Sequence, residues 1–198
     1  MTTPLGTVVG LDFGKHADYT ALCVVQAARA STPAGYPQTC LQVRHLERYP
    51  LGTSYSEIAD RVAALMSRVG GTLLCDSTGV GSAAVDMLRE RGVPFIGISI
   101  HGGTNVSRTS DGYSVPKAQL VGALATALEQ GALKVAKDLP LGGVLAAELA
   151  TFKRKQSRRG HVRFEHGRAS EHDDLLMSLC LATWGVSVGF AGYENAAS

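Results

Sequence analysis

Two segments near the start of the chain, LGTVVGLDF at residues 5–13 and YTALCVVQA at residues 19–27, decide the fold class. Both are short and rich in β-branched residues, which predicts β-strands. The residues between them, GKHAD at 14–18, suit a tight connection, and a third strand is predicted at 39–48. Together these segments predict an antiparallel meander of three strands.

The hydrophobic pattern changes after the third strand. Ser54 and Glu57 form a capping-box pattern ahead of apolar residues at helical spacing, which predicts a helix that ends at the glycines at 70–71. The elements predicted next are strands at 72–76 and 93–100, a mobile loop at 107–114, and helices at 83–91, 116–131 and 141–152. An α/β fold follows, with a central mixed five-stranded sheet, three antiparallel strands and then parallel ones, flanked by helices.

The last third of the chain is predicted to hold a basic hairpin and a final helix. The hairpin is expected at 153–165 with its turn at 159–160, and the helix has Ser170 as N-cap and Asp173 at N3. Residues 175–192 are uncharged and reach the lower limit for a membrane span, but their serines, threonine and glycines favour a buried helix. We expect one domain over 1–198, with a flexible tail at 188–198.

The composition is that of a globular protein, with 45% of the 198 residues hydrophobic and 18% charged. Disordered and collagen-like classes are excluded, and the net charge of +2 indicates no particular partner. The four cysteines form no CxxC pair, and the first residues show no basic secretory leader. The sequence therefore predicts a cytoplasmic protein with reduced thiols and no membrane partner.

Carboxylates stand at the ends of three predicted elements. Asp12 and Asp76 each end an apolar strand, and Asp173 and Asp174 open the final helix. Each could be a helix cap or a turn residue, but strand ends in one sheet can be neighbours. Clustered carboxylates repel each other unless a cation holds them, and hard oxygen ligands suit Mg²⁺ or Mn²⁺. A pair of such ions is a common means of hydrolysing a phosphodiester.

Six short motifs together resemble the nuclease domain of the large terminase subunit of tailed bacteriophages, over about residues 7 to 184. They are GLDFG at 10–14, DYT at 18–20, DSTGVG at 76–81, VPK at 115–117, EL at 148–149 with Phe152, and HDDL at 172–175. The resemblance implies an RNase H-like fold and a metal-dependent endonuclease that cuts concatemeric viral DNA during genome packaging.

The resemblance also assigns roles to the acids. It implies that Asp12 and Asp76 bind two divalent metal ions, Mg²⁺ or Mn²⁺, with the pair Asp173 and Asp174 at the third carboxylate position. Asp18 is a further candidate ligand. The implied partners are double-stranded DNA, a packaging ATPase domain, the small terminase subunit and the portal, in the host cytoplasm. No GxxxxGK[ST] phosphate loop occurs in the sequence, so no ATPase domain is predicted in it.

Basic residues are concentrated just before the final helix. Phosphate contacts dominate the affinity of proteins for DNA, so this segment is a candidate grip on the DNA backbone; a solvated hairpin is the alternative. Lys117 could approach the scissile phosphate, as the resemblance suggests, or be an ordinary surface lysine. The basic residues are Lys153, Arg154, Lys155, Arg158, Arg159, Arg163 and Arg168.

Three other functions stay open at this point. A Holliday-junction resolvase would share the fold and the metals, and a catalytically silent RNase H-like module would only bind DNA or dock a partner. Half of an actin-like ATPase would explain the phosphate-loop character of Asp12 to Thr20 and Asp76 to Gly79, but it has no need of Asp173 and Asp174.

Overall fold

The meander and the elements after it form a single sheet with helices on both faces. A computed structural model describes residues 2–14, 18–32, 34–78, 81–159 and 173–192, with the backbone alone at 81–82 and 152–159. The strands are β1 (Thr3–Asp12), β2 (Ala21–Ser31), β3 (Pro37–Arg48), β4 (Thr72–Asp76), β5 (Ile96–His101), β6 (Ser107–Arg108), β7 (Gly112–Pro116) and β8 (Leu133–Val135). The helices are α1 (Tyr55–Val69), α2 (Gly81–Glu90), α3 (Lys117–Glu129), α4 (Gly142–Arg159) and α5 (Asp174–Ser187), followed by a 3-10 turn at Phe190–Gly192.

The strand order of the sheet is β6-β7-β5-β4-β1-β2-β3-β8. β1, β2 and β3 are antiparallel neighbours, as the meander predicts, and β4 and β5 continue the sheet parallel to β1. These five strands are the predicted centre, so the α/β fold class is confirmed. Three short strands extend it: β7 parallel to β5, β6 antiparallel to β7, and β8 parallel to β3.

β6 and β7 overturn the prediction of a mobile loop at 107–114. β7 pairs with β5 from Gly112 to Pro116, and Val115 is fully buried in the core. The Tyr113 ring packs edge-on against Trp184, with 6.1 Å between ring centroids. The strand could not be predicted from the sequence, because this stretch consists mostly of polar and glycine residues and has too few apolar side chains to show an alternating pattern.

Side chains of the sheet alternate between two hydrophobic cores, one on each face. Val8 and Leu74 pack on the side of α3 and α5, whereas Val9 and Leu73 pack on the side of α1 and α2. Successive residues of a strand point to opposite faces. Counting forward by twos, the last residues of β1 and β4 point toward the side of α3 and α5. Both of these residues are aspartates.

α5 crosses β1 where a glycine permits a close approach. A Cβ at Gly10 would lie 1.9 Å from the backbone oxygen of Ser178, far inside van der Waals contact. α5 is buried from Asp174 to Gly185, which confirms the prediction of a buried final helix. In the described part of the chain, no helix combines the length and the apolar character needed to cross a membrane.

The start of α1 follows the prediction and the start of α5 does not. The Ser54 side chain accepts a hydrogen bond from the Glu57 backbone N–H at 3.2 Å, so the predicted cap is confirmed. In α5, Asp173 is the N-cap and Asp174 is the first helical residue, because the Met177 N–H donates to the Asp173 carbonyl at 2.8 Å. The assignment of Asp173 to position N3 behind a Ser170 cap is therefore wrong.

Two further predictions concern the end of the chain, and the first of them is corrected. The backbone at 153–159 is the last part of α4 and not the first strand of a hairpin, since Lys, Arg and Gln are strong helix formers. The rest of the proposed hairpin lies outside the described residues. The tail predicted to be flexible, 188–198, is described only as far as Gly192: Val188 is exposed, whereas Phe190 is buried and its carbonyl accepts a hydrogen bond from the Thr72 hydroxyl at 3.0 Å. Residues 193–198 are not described.

Candidate active site

Asp12 and Asp76 lie side by side at the ends of neighbouring parallel strands. Leu11 of β1 is in register with Cys75 of β4, so the next residue on each strand is an aspartate. Neighbouring strands are about 4.8 Å apart, and both aspartates point to the side of α5. One Asp76 carboxylate oxygen accepts a hydrogen bond from the Thr78 backbone N–H at 2.7 Å, which orients this side chain.

The first turn of α5 brings two more carboxylates to the same place. The side chain of Asp173 is 61% exposed, whereas that of Asp174 is 6% exposed. Burial is the main cause that raises the pKa of Asp12 well above its ordinary value, and the negative charges of Asp76, Asp173 and Asp174 raise it further. The other three predicted acids therefore all act on Asp12 at the end of the sheet.

We call Asp12, Asp76, Asp173 and Asp174 the acidic cluster. Within the described ranges, Lys117 is the first of two basic residues that contact it. It begins α3 directly after the end of β7, and its Nζ lies 4.0 Å from a carboxylate oxygen of Asp173. Its positive charge also lowers the pKa of Asp12, against the effect of burial and of the acids. The structure thus places Lys117 beside the acids, and its predicted approach to the scissile phosphate stays a prediction.

Arg48 is the second cation, and sequence reasoning missed it. Asp12 of β1 pairs with Ala21 of β2, which pairs with Arg48 of β3, so the arginine ends its strand in line with Asp12. Its Nη2 contacts a carboxylate oxygen of Asp174 at 2.8 Å and also donates to Glu148 of α4. The guanidinium carbon lies 5.0 Å from the centre of the Tyr19 ring.

Glu148 links α4 to the start of α5. One of its carboxylate oxygens accepts the Arg48 hydrogen bond, and the other accepts a hydrogen bond from the Leu176 backbone N–H at 2.8 Å. Burial raises the pKa of Glu148 to about 7, although the Leu176 N–H and the Arg48 guanidinium both lower it. The sequence held one signal for this residue, the EL motif at 148–149, but gave Glu148 no role.

The acidic cluster has the right chemistry for a hard divalent cation but is not a finished coordination sphere. Carboxylate oxygens and concentrated negative charge are what Mg²⁺ and Mn²⁺ prefer. Among the side chains that the structure describes, no three carboxylate, imidazole or thiolate groups are close enough together to form a complete metal site. Asp12 and Asp76 supply two adjacent donors, and Asp174 is turned toward Arg48.

The structure does not place the other predicted site residues in the acidic cluster. Asp18 is exposed in the connection from β1 to β2, and its charge is not among those that act on Asp12. The backbone of 153–159 continues α4 beyond Glu148, and the side chains there are not described. Arg163 and Arg168 lie outside the described residues. The structure thus brings together Asp12, Asp76, Asp173, Asp174 and Lys117 and leaves the basic segment untested.

Comparison with known proteins identifies the family. The sequence model described as Terminase RNaseH-like domain matches residues 9–184. The fold is similar to the zinc-bound large terminase nuclease from the thermophilic phage G20c, with a TM-score of 0.54, 25% identity, and coverage of 89% of this chain and 79% of that one. It is also similar to the large terminase from a second thermophilic bacteriophage, with a TM-score of 0.53, 12% identity, and coverage of 90% and 39%.

Two other comparisons add nothing to the functional assignment. Thermus thermophilus RuvC in complex with a Holliday junction substrate has 16% identity and a TM-score of 0.42, too low to support an argument about function. No curated protein sequence is significantly similar to the chain. The family match nevertheless spans the meander from Val9 onward, both strand-end aspartates and α5 as far as Trp184. With its RNase H-like sheet, the chain therefore belongs to the terminase RNase H-like domain family of phage nucleases.

Proposed function

We propose that this chain is a divalent-metal-dependent DNA endonuclease that cuts concatemeric viral DNA during genome packaging. The observation that carries the proposal is the meeting of Asp12, Asp76 and the first turn of α5 at one end of the sheet, in a member of a nuclease family. The zinc bound to the G20c terminase nuclease supports a divalent cation in this fold.

Asp12 and Asp76 would hold the cation together with an acid from the start of α5. A bound Mg²⁺ or Mn²⁺ supplies an activated water for attack on phosphorus and stabilises the leaving oxygen, and a second ion would divide these two tasks. Lys117 offers positive charge to a phosphate that approaches Asp173. Glu148 and Arg48 hold the start of α5, and the Thr78 N–H keeps the Asp76 carboxylate in place.

Double-stranded DNA is the proposed substrate, held by the basic segment. α4 runs from the contact of Glu148 with α5 directly into the basic residues at 153–159. A duplex held there would lie beside the acidic cluster. Its contacts would be those of Lys and Arg with phosphate, which carry no sequence information, so little sequence preference is expected. A packaging ATPase domain, the small terminase subunit and the portal are the proposed partners, in the host cytoplasm, with residues 1–198 forming the nuclease domain.

Cleavage of supercoiled plasmid tests the proposal. We expect nicking and then linearisation with Mn²⁺ or Mg²⁺ and none in EDTA. Asp12→Asn and Asp76→Asn should each abolish cleavage, because each removes a charged oxygen donor. Asp138→Asn is the matched control, since Asp138 is exposed between β8 and α4, and this variant should cut like the wild type. Cleavage that survives chelation, or a fully active Asp76→Asn, would contradict the proposal.

A further inference from the structure

We propose that Arg48 is an internal counter-ion that competes with the divalent cation for the Asp174 carboxylate and so sets the metal concentration that the site needs. This inference rests on the proposed function, because it takes the acidic cluster to be the cation site. Arg48 is then a positioning residue, since it acts on the metal through Asp174 and not on the DNA.

The Arg48 guanidinium lies at a position to which the acids would attract a divalent cation. The side chains of Arg48 and Asp174 are 16% and 6% exposed, so little water screens the contact of 2.8 Å between them. Arg48 and Asp12 are aligned across the sheet through Ala21. Arg48 thus places a fixed positive charge at the same sheet edge as the acids, and this charge neutralises one of them when no metal is bound.

The contact with Asp174 can be exchanged without leaving Arg48 unpaired. A single nitrogen, Nη2, serves both Asp174 and Glu148, and the guanidinium also stacks over the Tyr19 ring. Glu148 is held separately by the Leu176 N–H. If Asp174 turned toward a cation, Arg48 would keep Glu148 and Tyr19, and the start of α5 would stay anchored. Glu148 is therefore the permanent partner of Arg48, and Asp174 is the exchangeable one.

If Arg48 has a purely structural role, its removal should change the metal affinity in the opposite direction. If Arg48 only holds α5, its loss should disorder the cluster and weaken metal binding. If Arg48 competes for Asp174, its loss should release Asp174 from this ion pair and strengthen metal binding. An ion pair as close and as little exposed as that of Arg48 with Asp174 contributes enough to change such an equilibrium about tenfold or more. The sign of the change in affinity separates the two roles.

Calorimetric titration of the protein with MnCl₂ measures that sign. We expect Arg48→Gln to lower the Kd for Mn²⁺ about tenfold or more. Arg61→Gln is the matched control, because Arg61 also stacks over a tyrosine ring, at 4.9 Å from the centre of Tyr49, and pairs with Glu47, outside the acidic cluster. An unchanged or higher Kd in a folded Arg48→Gln protein would overturn the inference. Asp76→Asn tests the cation site itself: if it binds Mn²⁺ like the wild type, the proposed function fails whatever Arg48 does.

A second measurement uses the wild-type protein and needs no folded variant. The Nε–H resonance of Arg48 is followed by NMR during titration with MgCl₂. We expect this resonance to shift with the same midpoint as Mg²⁺ binding, because the guanidinium loses its contact with Asp174, while the Nε–H resonance of Arg61 stays in place. An Arg48 resonance that does not move when the site is saturated would overturn the inference.

Discussion

Replacing Gly10 by alanine tests the packing that places the start of α5 over the strand ends. The new Cβ would lie 1.9 Å from the Ser178 backbone oxygen, and ordinary contact requires at least 3.4 Å, so β1 and α5 must separate by about 1.5 Å. The obstructing atoms of Ser178 and Ala182 belong to the backbone and cannot rotate away. Overpacking of this kind costs about 1–3 kcal/mol, and we expect the upper end of that range. Because Ser178 is one helical turn from Asp174, a displacement of this size should also reduce cleavage about 100-fold.

Urea unfolding monitored by Trp184 fluorescence measures the loss of stability, since this is the only tryptophan and it lies on α5. Gly122→Ala is the control, because Gly122 is inside α3 and its new Cβ would meet nothing within 4 Å beyond the backbone of its own helix and its chain neighbours. That variant should gain about 1 kcal/mol, the helix preference of alanine over glycine, and cut normally. If Gly10→Ala is as stable and as active as Gly122→Ala, α5 does not approach β1 as described.

Three further predictions concern charge. The pKa of Glu148 is raised from its ordinary 4.5 to about 7, so its stabilising contribution is complete below pH 4.5 and is lost as the pH rises through 7. In Glu148→Gln, the fall in the free energy of unfolding between pH 4.5 and pH 8 should therefore be smaller by about 3 kcal/mol, measured by urea unfolding. Asp12→Asn should raise the melting temperature of the metal-free protein at neutral pH, because burial and the neighbouring acids disfavour the charged carboxylate, and a lower melting temperature would contradict this. Reversing Arg158 and Arg159 to Glu should weaken duplex binding in Ca²⁺ and make the slope of log K against log salt shallower by about 2, measured by fluorescence anisotropy; an unchanged affinity and slope would move the DNA track elsewhere.

The sequence alone was sufficient to predict those features of the fold whose physical signal is local. Runs of β-branched residues located β1 and β2, and the Ser54 cap marked the start of α1. The meeting of Asp12 and Asp76 could be expected because each ends an apolar strand and strand ends in one sheet can be neighbours. The resemblance to terminases rested on the order of several weak motifs, and the family match confirms it.

Other features depend on contacts between residues far apart in the chain. Arg48 is 100 residues from Glu148 and 126 from Asp174, and nothing in its own segment distinguishes it from a surface arginine at the end of a strand. β7 also depends on distant residues, since Tyr113 packs against Trp184 and Phe190, which belong to the end of the chain. The same aromatic contacts hold the Phe190 side chain against the core.

The central claim is that the acidic cluster binds divalent metal, and diffraction from a crystal soaked in MnCl₂ tests it most directly. Data collected at the manganese absorption edge locate the ion independently of any assumption about activity. We predict an anomalous peak within coordination distance of carboxylate oxygens of Asp12 and Asp76, with an oxygen of Asp173 or Asp174 completing the protein ligands. Ordered side chains at this edge of the sheet with no manganese between Asp12 and Asp76 would contradict the account.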